Sequence, residues 1–178
     1  MGGMGRFDLN GLKKFQKELE KLDKNMNTFM ESCAKELAAR LLRMVVKRTP
    51  VGDYTHEVEV TAKRDSKKHR KGDVYKKKVN SSGKMGGTLR RGWTGGEKSS
   101  AQNYADSLTV HHYGDAYVIE IVNPVEYASY VEYGHRTANH KGWVQGRFMM
   151  TISEQELQRI APKVLENKIK KYLRECLK

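Results

Sequence analysis

The chain has 178 residues, of which 38% are hydrophobic and 31% charged, and its 34 Lys and Arg outnumber 21 Asp and Glu. This length suits a single domain with one core, and no apolar run reaches the roughly 18 to 20 residues that span a bilayer. The surplus of positive charge favours polyanions or acidic protein surfaces as partners. The Gly-rich start lacks the apolar stretch of a signal peptide, so we expect assembly in a cytoplasm and no membrane partner.

A long amphipathic helix is predicted from about Asp8 to Arg48. Asp8 or Asn10 can cap its start, and Thr49-Pro50 ends it because the residue before proline avoids helical geometry. Its apolar residues recur at spacings of three or four, which marks one helical face: Leu12, Phe15, Leu19, Leu22, Met26, Phe29, Cys33, Leu37 and Leu41. A single apolar stripe implies packing along a sheet or against a neighbouring subunit, and a free coiled coil is the alternative.

The next segment is strongly basic. Residues 56–62 alternate as a strand does, and residues 74–79 can form a second strand that pairs with the first. Either this segment is a charged hairpin or it is a mobile basic loop, and in both cases we expect a protrusion rather than a separate domain. The basic side chains are Lys63, Arg64, Lys67, Lys68, Arg70, Lys71, Lys76, Lys77 and Lys78.

The second half of the core begins with two predicted strands. They run over Ser107–Tyr113 and Tyr117–Val122, with a turn at Gly114-Asp115. Asn123-Pro124 breaks the second strand, and a short helix follows over Val125–Tyr133. Its inward face carries Val125, Ala128 and Val131.

A C-terminal helix is predicted after a polar loop over residues 134–146. Ser153 and Glu156 have the spacing of a capping box. Pro162 either kinks this helix or opens a second one. The apolar stripe comprises Leu157, Ile160, Val164, Ile169, Tyr172, Leu173 and Cys176. Strands and helices are segregated along the chain, which predicts an α+β fold with a small antiparallel or mixed sheet.

No arrangement of residues predicts catalysis. Cys33 and Cys176 occupy apolar helical positions and are interpreted as small core residues rather than a disulfide or metal pair. His111 and His112 are neighbours in a strand and point to opposite faces, and no Cys or acidic residue completes a tetrahedral metal site. Nucleophile elbows and phosphate-binding loops are absent from the sequence. We therefore predict a non-enzymatic protein without catalytic residues, metal or cofactor.

The most distinctive motif is Tyr-Ala-Ser-Tyr-Val-Glu-Tyr-Gly-His-Arg at residues 127–136. Its tyrosines are three residues apart and share one side of the short helix, opposite Ala128 and Val131. Gly134 permits the left-handed exit that ends a helix. Glu132 and Arg136 are four residues apart and are predicted to pair if the helix extends that far.

This motif resembles the tail-component family of long-tailed phages and prophages. The family pattern Asn-x-x-x-Tyr-Ala-x-Tyr-Val-Glu-Tyr-Gly-x-Arg is matched from Asn123 to Arg136, and a later Gly-Arg-Phe-Met element is matched by Gly142–Met150. A first element, after the long helix, resembles Thr49–Asp53 together with Gly87–Trp93. In the family the two parts of this first element are nearly adjacent. The resemblance therefore implies a single domain over residues 1–178 in which residues 54–86 are a basic insertion.

The resemblance implies a structural virion protein that joins or completes the tail at the head–tail neck or the tail end. It implies a closed homo-oligomeric ring, expected to be a hexamer, made in the host bacterial cytoplasm. Its neighbours would be the head–tail connector and the tail terminator or tail tube proteins. Tyr and Arg are favoured interface anchors, so the residues expected at subunit or ring contacts are Tyr127, Tyr130, Glu132, Tyr133, Arg136, Trp143, Arg147 and Phe148.

The role of the basic insertion does not follow from the resemblance. We expect it to dock on an acidic protein ring, with passive contact with DNA as a further expectation, because tight gripping would hinder the exit of DNA. The alternative function is a nucleic-acid-binding accessory protein that acts through this insertion, where Tyr75 and Trp93 interleave with the basic residues.

Overall fold

The computed structural model describes residues 10–96 and 100–176. The predicted caps Asp8 and Asn10 and the stripe residues Leu12 and Phe15 fall outside the described residues or side chains. The elements are, in chain order, α1 (Asn10–Arg48), β1 (His56–Thr61), β2 (Val74–Val79), α2 (Thr88–Gly92), α3 (Ala101–Ser107), β3 (His111–Tyr113), β4 (Ala116–Val118), α4 (Ala128–Tyr133), β5 (Gly134–Arg136), β6 (Trp143–Gln145) and α5 (Met149–Cys176). This arrangement confirms the predicted α+β class with its long N-terminal and C-terminal helices.

The two long helices, α1 and α5, pack side by side in opposite directions. Near the middle of α1, Phe29 stacks on Tyr172 with ring centroids 4.2 Å apart, and the Tyr172 hydroxyl donates to the carbonyl of Leu22 at 3.1 Å. At the C-terminal end of α1, Arg48 forms an ion pair with Glu156. Among the described residues, no helix is long and apolar enough to cross a membrane.

The hydrophobic core lies at the C-terminal half of α1. Its buried members are Ala38, Ala39, Leu42, Val45, Leu89, Trp93, Ala105 and Met149. The predicted apolar stripe is therefore correct at Phe29 and Cys33, which are buried, but wrong at Leu19 and Met26, which are exposed. From Phe29 onward the predicted stripe advances in four-residue steps, which drift around a helix of 3.6 residues per turn, so Leu37 and Leu41 are only half-buried. The neighbouring face, with Leu42 and Val45, is instead the one that α2 and α3 cover.

Within the described residues, the strands form three separate two-stranded antiparallel hairpins rather than one sheet. β1 and β2 confirm the predicted basic hairpin within a residue of its expected ends. The strand predicted over Ser107–Tyr113 is wrong in its first half, because α3 ends at Ser107. The strand predicted over Tyr117–Val122 is wrong beyond Val118, because Ile119 and Ile121 pack on the core without strand pairing.

The start of the C-terminal helix also differs from the prediction. α5 begins at Met149, so Ser153 lies inside it, fully buried, and donates its hydroxyl hydrogen to the carbonyl of Met149 at 2.6 Å. The predicted Ser153–Glu156 capping box is therefore wrong. α5 runs through Pro162 to Cys176 instead of opening a second helix there.

Candidate interaction surfaces

The first family-like element (residues 49–53 and 87–93) forms hydrogen bonds around Thr49, which we call the Thr49 network. The Thr49 hydroxyl accepts a hydrogen bond from the indole N–H of Trp93 at 2.8 Å and donates one to the carbonyl of Val45 at 2.7 Å. The Arg90 guanidinium donates twice to the Thr49 carbonyl, at 3.1 and 2.6 Å. Trp93 is buried, so it is not available to contact nucleic acid as the sequence had suggested. α2 thus ties the end of α1 to the core.

The two ends of the basic segment lie close together, next to the Thr49 network. A Cβ built on Gly86 would overlap the carbonyl oxygen of Gly52, so the chain ends of residues 54–85 touch. At the departing end, the Asp53 carboxylate accepts hydrogen bonds from the amide and hydroxyl of Thr55, and these bonds hold the pKa of Asp53 below its ordinary value. No residue from 54 to 86 belongs to the described core. The segment is therefore attached at its base and supported mainly from within.

The basic hairpin (residues 56–79) has two different faces. On one face Glu57 lies opposite Lys78, and Glu59 lies opposite Lys76, in the antiparallel register. Opposite charges at such positions attract. The other face carries half-buried apolar residues, Val58, Val60, Tyr75 and Val79, together with exposed Lys77. Local pairing thus stabilises the strands, and the segment forms the predicted charged hairpin rather than the alternative mobile loop.

The hairpin tip (residues 62–73) is built by its own polar groups. The Asp65 carboxylate accepts from the amide of Lys71 at 2.8 Å, and the Asp73 carboxylate accepts from the amide of Arg70 at 2.7 Å. His69 stacks on Tyr75 with ring centroids 4.0 Å apart and planes inclined by 9°. The tip presents six exposed basic side chains: Lys63, Arg64, Lys67, Lys68, Arg70 and Lys71.

Glu132 connects α4 to the start of α5. Its side chain is buried, and its carboxylate accepts from the amides of Met150 and Thr151, each at 3.0 Å, and from the Thr151 hydroxyl at 2.9 Å. A carboxylate at a helix N-terminus satisfies unpaired amides and interacts favourably with the helix dipole. The predicted pair with Arg136 is wrong, because α4 ends at Tyr133 and Arg136 lies in β5. Glu132 has an internal role and is not exposed for a partner.

Two glycines allow α4, the β5–β6 hairpin and α5 to meet closely. Gly134 ends α4 with a positive φ of +90°, but its ψ of 170° is extended, so it is not in the left-handed helical conformation that was predicted. A Cβ on Gly146 would overlap the carbonyl oxygen of Glu132. The amides of Arg147 and Phe148 donate to the carbonyls of Val131 and Glu132 at 2.8 and 3.0 Å. We call residues 127–151 the α4–α5 junction.

This junction presents the residues that we call the aromatic surface: Tyr127, Tyr130, Tyr133, Trp143 and Phe148. All five are exposed, with Tyr130 at 58%, Tyr133 at 64% and Trp143 at 62% of their full accessibility. Val125, Ala128 and Val131 pack on the core, as predicted, so α4 holds its tyrosines outward. Arg136 and Arg147 are exposed on the same junction. All the predicted contact residues thus lie on this junction, and all except Glu132 are exposed.

Sequence reasoning missed an extension of this surface. A cleft of about 270 Å³ lies between Tyr127 and the base of the hairpin, and Val51, Tyr54 and Met85 line it. These three residues are exposed and apolar or aromatic. They lie far from Tyr127 in sequence, and only the return of the chain at Gly86 brings them together. Large contiguous apolar patches on a soluble protein mark interaction sites.

Within the described residues, the histidines and cysteines considered for metal binding or catalysis do not form a site. Among the described residues, no cluster of three or more His, Cys, Asp or Glu side chains can hold a metal ion. His112 contacts Glu31 at 2.9 Å, and His135 has a buried Nδ1 without a hydrogen-bond partner. The two thiols are free, and burial raises the pKa of Cys33 above its ordinary value of 9.0. A raised pKa keeps a thiol protonated and unreactive.

Comparison with protein-family models matches residues 13–134 to the family described as "Bacteriophage HK97-gp10, putative tail-component". The match covers well over half of the chain and includes the first element, the hairpin and the tyrosine motif as far as Gly134. No curated protein and no solved structure matches the chain. The chain therefore belongs to the HK97 gp10-like family of bacteriophage tail components, which are structural proteins of the virion.

Proposed function

We propose that this protein is a non-enzymatic subunit of a ring, expected to be a hexamer, that joins or completes the tail at the head–tail neck or the tail end. The observation that carries the proposal is the aromatic surface on the α4–α5 junction. Tyr and Trp supply large contact areas with few rotatable bonds, and they dominate binding energy at protein interfaces. Five exposed aromatic rings on one junction are costly to leave in water.

The rigidity of the junction supports a role in assembly. A preorganised surface loses less conformational entropy on binding than a flexible one. The buried Glu132 carboxylate and the close backbone contacts at Gly134 and Gly146 hold this surface in one conformation. Repeated head-to-tail contacts between identical subunits produce a ring when the rotation closes. The head–tail connector and the tail terminator or tail tube would then cover the two open faces of the ring.

The alternative of a nucleic-acid-binding accessory protein leaves the aromatic surface unexplained. That function would need only the basic side chains of residues 54–86, which we propose to be an insertion into a single domain. The touching chain ends at Gly52 and Gly86 support this division. An accessory protein that binds only nucleic acid through these basic side chains would not need exposed Tyr130, Tyr133 and Trp143.

The proposal is tested by removing two rings from the aromatic surface. In a Tyr130→Ser/Tyr133→Ser variant we expect loss of the ring, measured as the mass of the purified protein by sedimentation equilibrium. The matched control is Tyr113→Ser, because Tyr113 is 67% exposed but lies on β3. Circular dichroism should show that all variants are folded. A ring that survives in the double variant, or that Tyr113→Ser also destroys, would contradict the proposal.

A further inference from the structure

Positive charge is distributed unevenly along the basic hairpin. In the strands, Glu57 and Glu59 lie opposite Lys78 and Lys76, so much of the charge there is balanced locally. At the tip, six exposed basic side chains accompany only Asp65 and Asp73. Both carboxylates accept hydrogen bonds from backbone amides of the tip itself. The tip is thus an ordered loop with a net charge of +4 and a fixed backbone.

The composition of the tip distinguishes between two kinds of partner. Protein interfaces are depleted of Lys and have apolar or aromatic centres. Within the tip, the one apolar side chain, Ala62, is buried, and His69 is stacked on Tyr75. The exposed side chains are instead Lys and Arg, which are the usual contacts to phosphate oxygens. An acidic protein ring, expected from the sequence, is therefore less well matched to the tip than a nucleic-acid backbone.

The tip is also better suited to a duplex than to a single strand. Proteins that bind single strands stack bases on exposed aromatic rings. Tyr75, the aromatic residue nearest to the tip, is half-buried and occupied by His69. Charge without a stacking surface favours the dense phosphates of double-stranded DNA.

We propose that the hairpin tip contacts the phosphate backbone of duplex DNA, independently of base sequence, as the DNA passes the ring. This inference rests on the proposed function for the position of the DNA. Six-residue strands extend the tip roughly 20 Å from the hairpin base, so the tips of a ring can reach inward. Contacts to phosphates alone let a protein slide along DNA, which answers the objection that a basic loop would hinder DNA exit.

The test compares two triple variants that remove the same charge from the same hairpin. Lys67→Gln/Lys68→Gln/Lys71→Gln changes the tip, and Lys76→Gln/Lys77→Gln/Lys78→Gln changes strand β2. Affinity for a mixed-sequence duplex of about 30 base pairs is measured at about 50 to 200 mM salt. We expect the tip variant to lose affinity about tenfold or more and to have a shallower dependence on salt, because it releases fewer counterions. The strand variant should stay within about threefold of the unmodified protein.

Three results would overturn this inference. One is equal loss in both variants, which would indicate a general charge effect. Another is no duplex binding by the unmodified protein at the lowest salt. The third is a tip variant that binds DNA normally but no longer joins an isolated acidic neck or tail ring, which would identify a protein partner. The masses of both variants are measured alongside. A protein that forms the ring but shows no tip-dependent DNA binding contradicts this inference alone, whereas absence of the ring in the unmodified protein contradicts the proposed function.

Discussion

The α4–α5 junction and the basic hairpin carry the two proposed contacts, and they are held in different ways. The junction depends on residues distant in sequence: Glu132 binds amides 18 and 19 positions further along the chain. The hairpin depends on cross-strand neighbours and on two aspartates within its own tip. A self-contained hairpin can vary without disturbing the core, whereas changes in the junction act on the whole fold. The chain thus combines a proposed assembly surface that is held by long-range contacts with a charged arm that is held locally.

Removing the carboxylate of Glu132 is expected to have the largest effect, and it tests directly whether the junction is held by residues distant in sequence. We expect Glu132→Ala to lower the free energy of unfolding by about 2–4 kcal/mol, because three donors lose their acceptor and a buried space is left. The measurement is urea denaturation followed by circular dichroism. Glu126→Ala is the control, because Glu126 is exposed near the same helix. An equal and small effect of both substitutions would show that the junction is not held by Glu132.

A second change tests the Thr49 network beneath the hairpin base. Thr49→Val keeps the side-chain shape but removes the acceptor of the buried Trp93 indole N–H. We expect a loss of about 1–3 kcal/mol, which is typical of a buried donor left unpaired. Thr61→Val, at an exposed strand position of the hairpin, should change stability by less than about 0.5 kcal/mol. If the two variants unfold at the same urea concentration, the assigned difference between core and hairpin is wrong.

The cysteines give a chemical measure of how tightly the helix pair is packed. Cys33 is buried between the long helices, and burial raises its thiol pKa, whereas Cys176 is partly exposed near the end of α5. Because the thiolate is the reactive form, iodoacetamide at about pH 8 should modify Cys176 first and Cys33 only slowly. Mass spectrometry of digested samples follows both sites, with urea-unfolded protein as the control. Equal rates in the native protein would mean that α1 and α5 separate readily.

The smallest effect is expected from removing the hairpin itself. His56 and Val79 are cross-strand partners, about 5 Å apart at Cα, so a two-residue turn such as Asn-Gly can replace residues 57–78. We expect the free energy of unfolding to change by no more than about 1 kcal/mol, because shortening a surface loop has a small entropic effect. Urea denaturation measures the change. A variant that does not fold would show that the hairpin supports the core after all.

Local patterns in the sequence predicted the elements that are held locally. The alternation of residues 56–62, followed by a possible second strand over residues 74–79, led to the prediction of a hairpin, and apolar spacing led to the prediction of α1 and α5. The helices α2 and α3 were missed because five and seven residues are too short to show a helical period. The Ser100 side chain, which accepts from the amide of Asn103, was a capping signal that could have revealed α3.

The candidate surfaces were predictable to different degrees. The spacing of Tyr127, Tyr130 and Tyr133 was sufficient to predict that they face away from Ala128 and Val131, and all three are exposed while Ala128 and Val131 pack on the core. The inward position of Glu132 was not predictable, because it depends on where α5 begins and on the backbone return at Gly146. The contribution of Met85 was also hidden, since it depends on the two ends of the hairpin segment meeting. Contacts between distant parts of the chain leave no period in the sequence.

The most direct test of the central claim is photochemical cross-linking from the aromatic surface. A benzoylphenylalanine is placed at position 130 of the full chain, and a second sample carries it at position 113 as the control. Mass spectrometry then identifies what each site captures in the assembled particle. The ring model predicts that position 130 captures a second copy of this chain and that position 113 does not. Capture of no second copy from position 130, in particles that contain the protein, would contradict the claim that this surface joins the subunits.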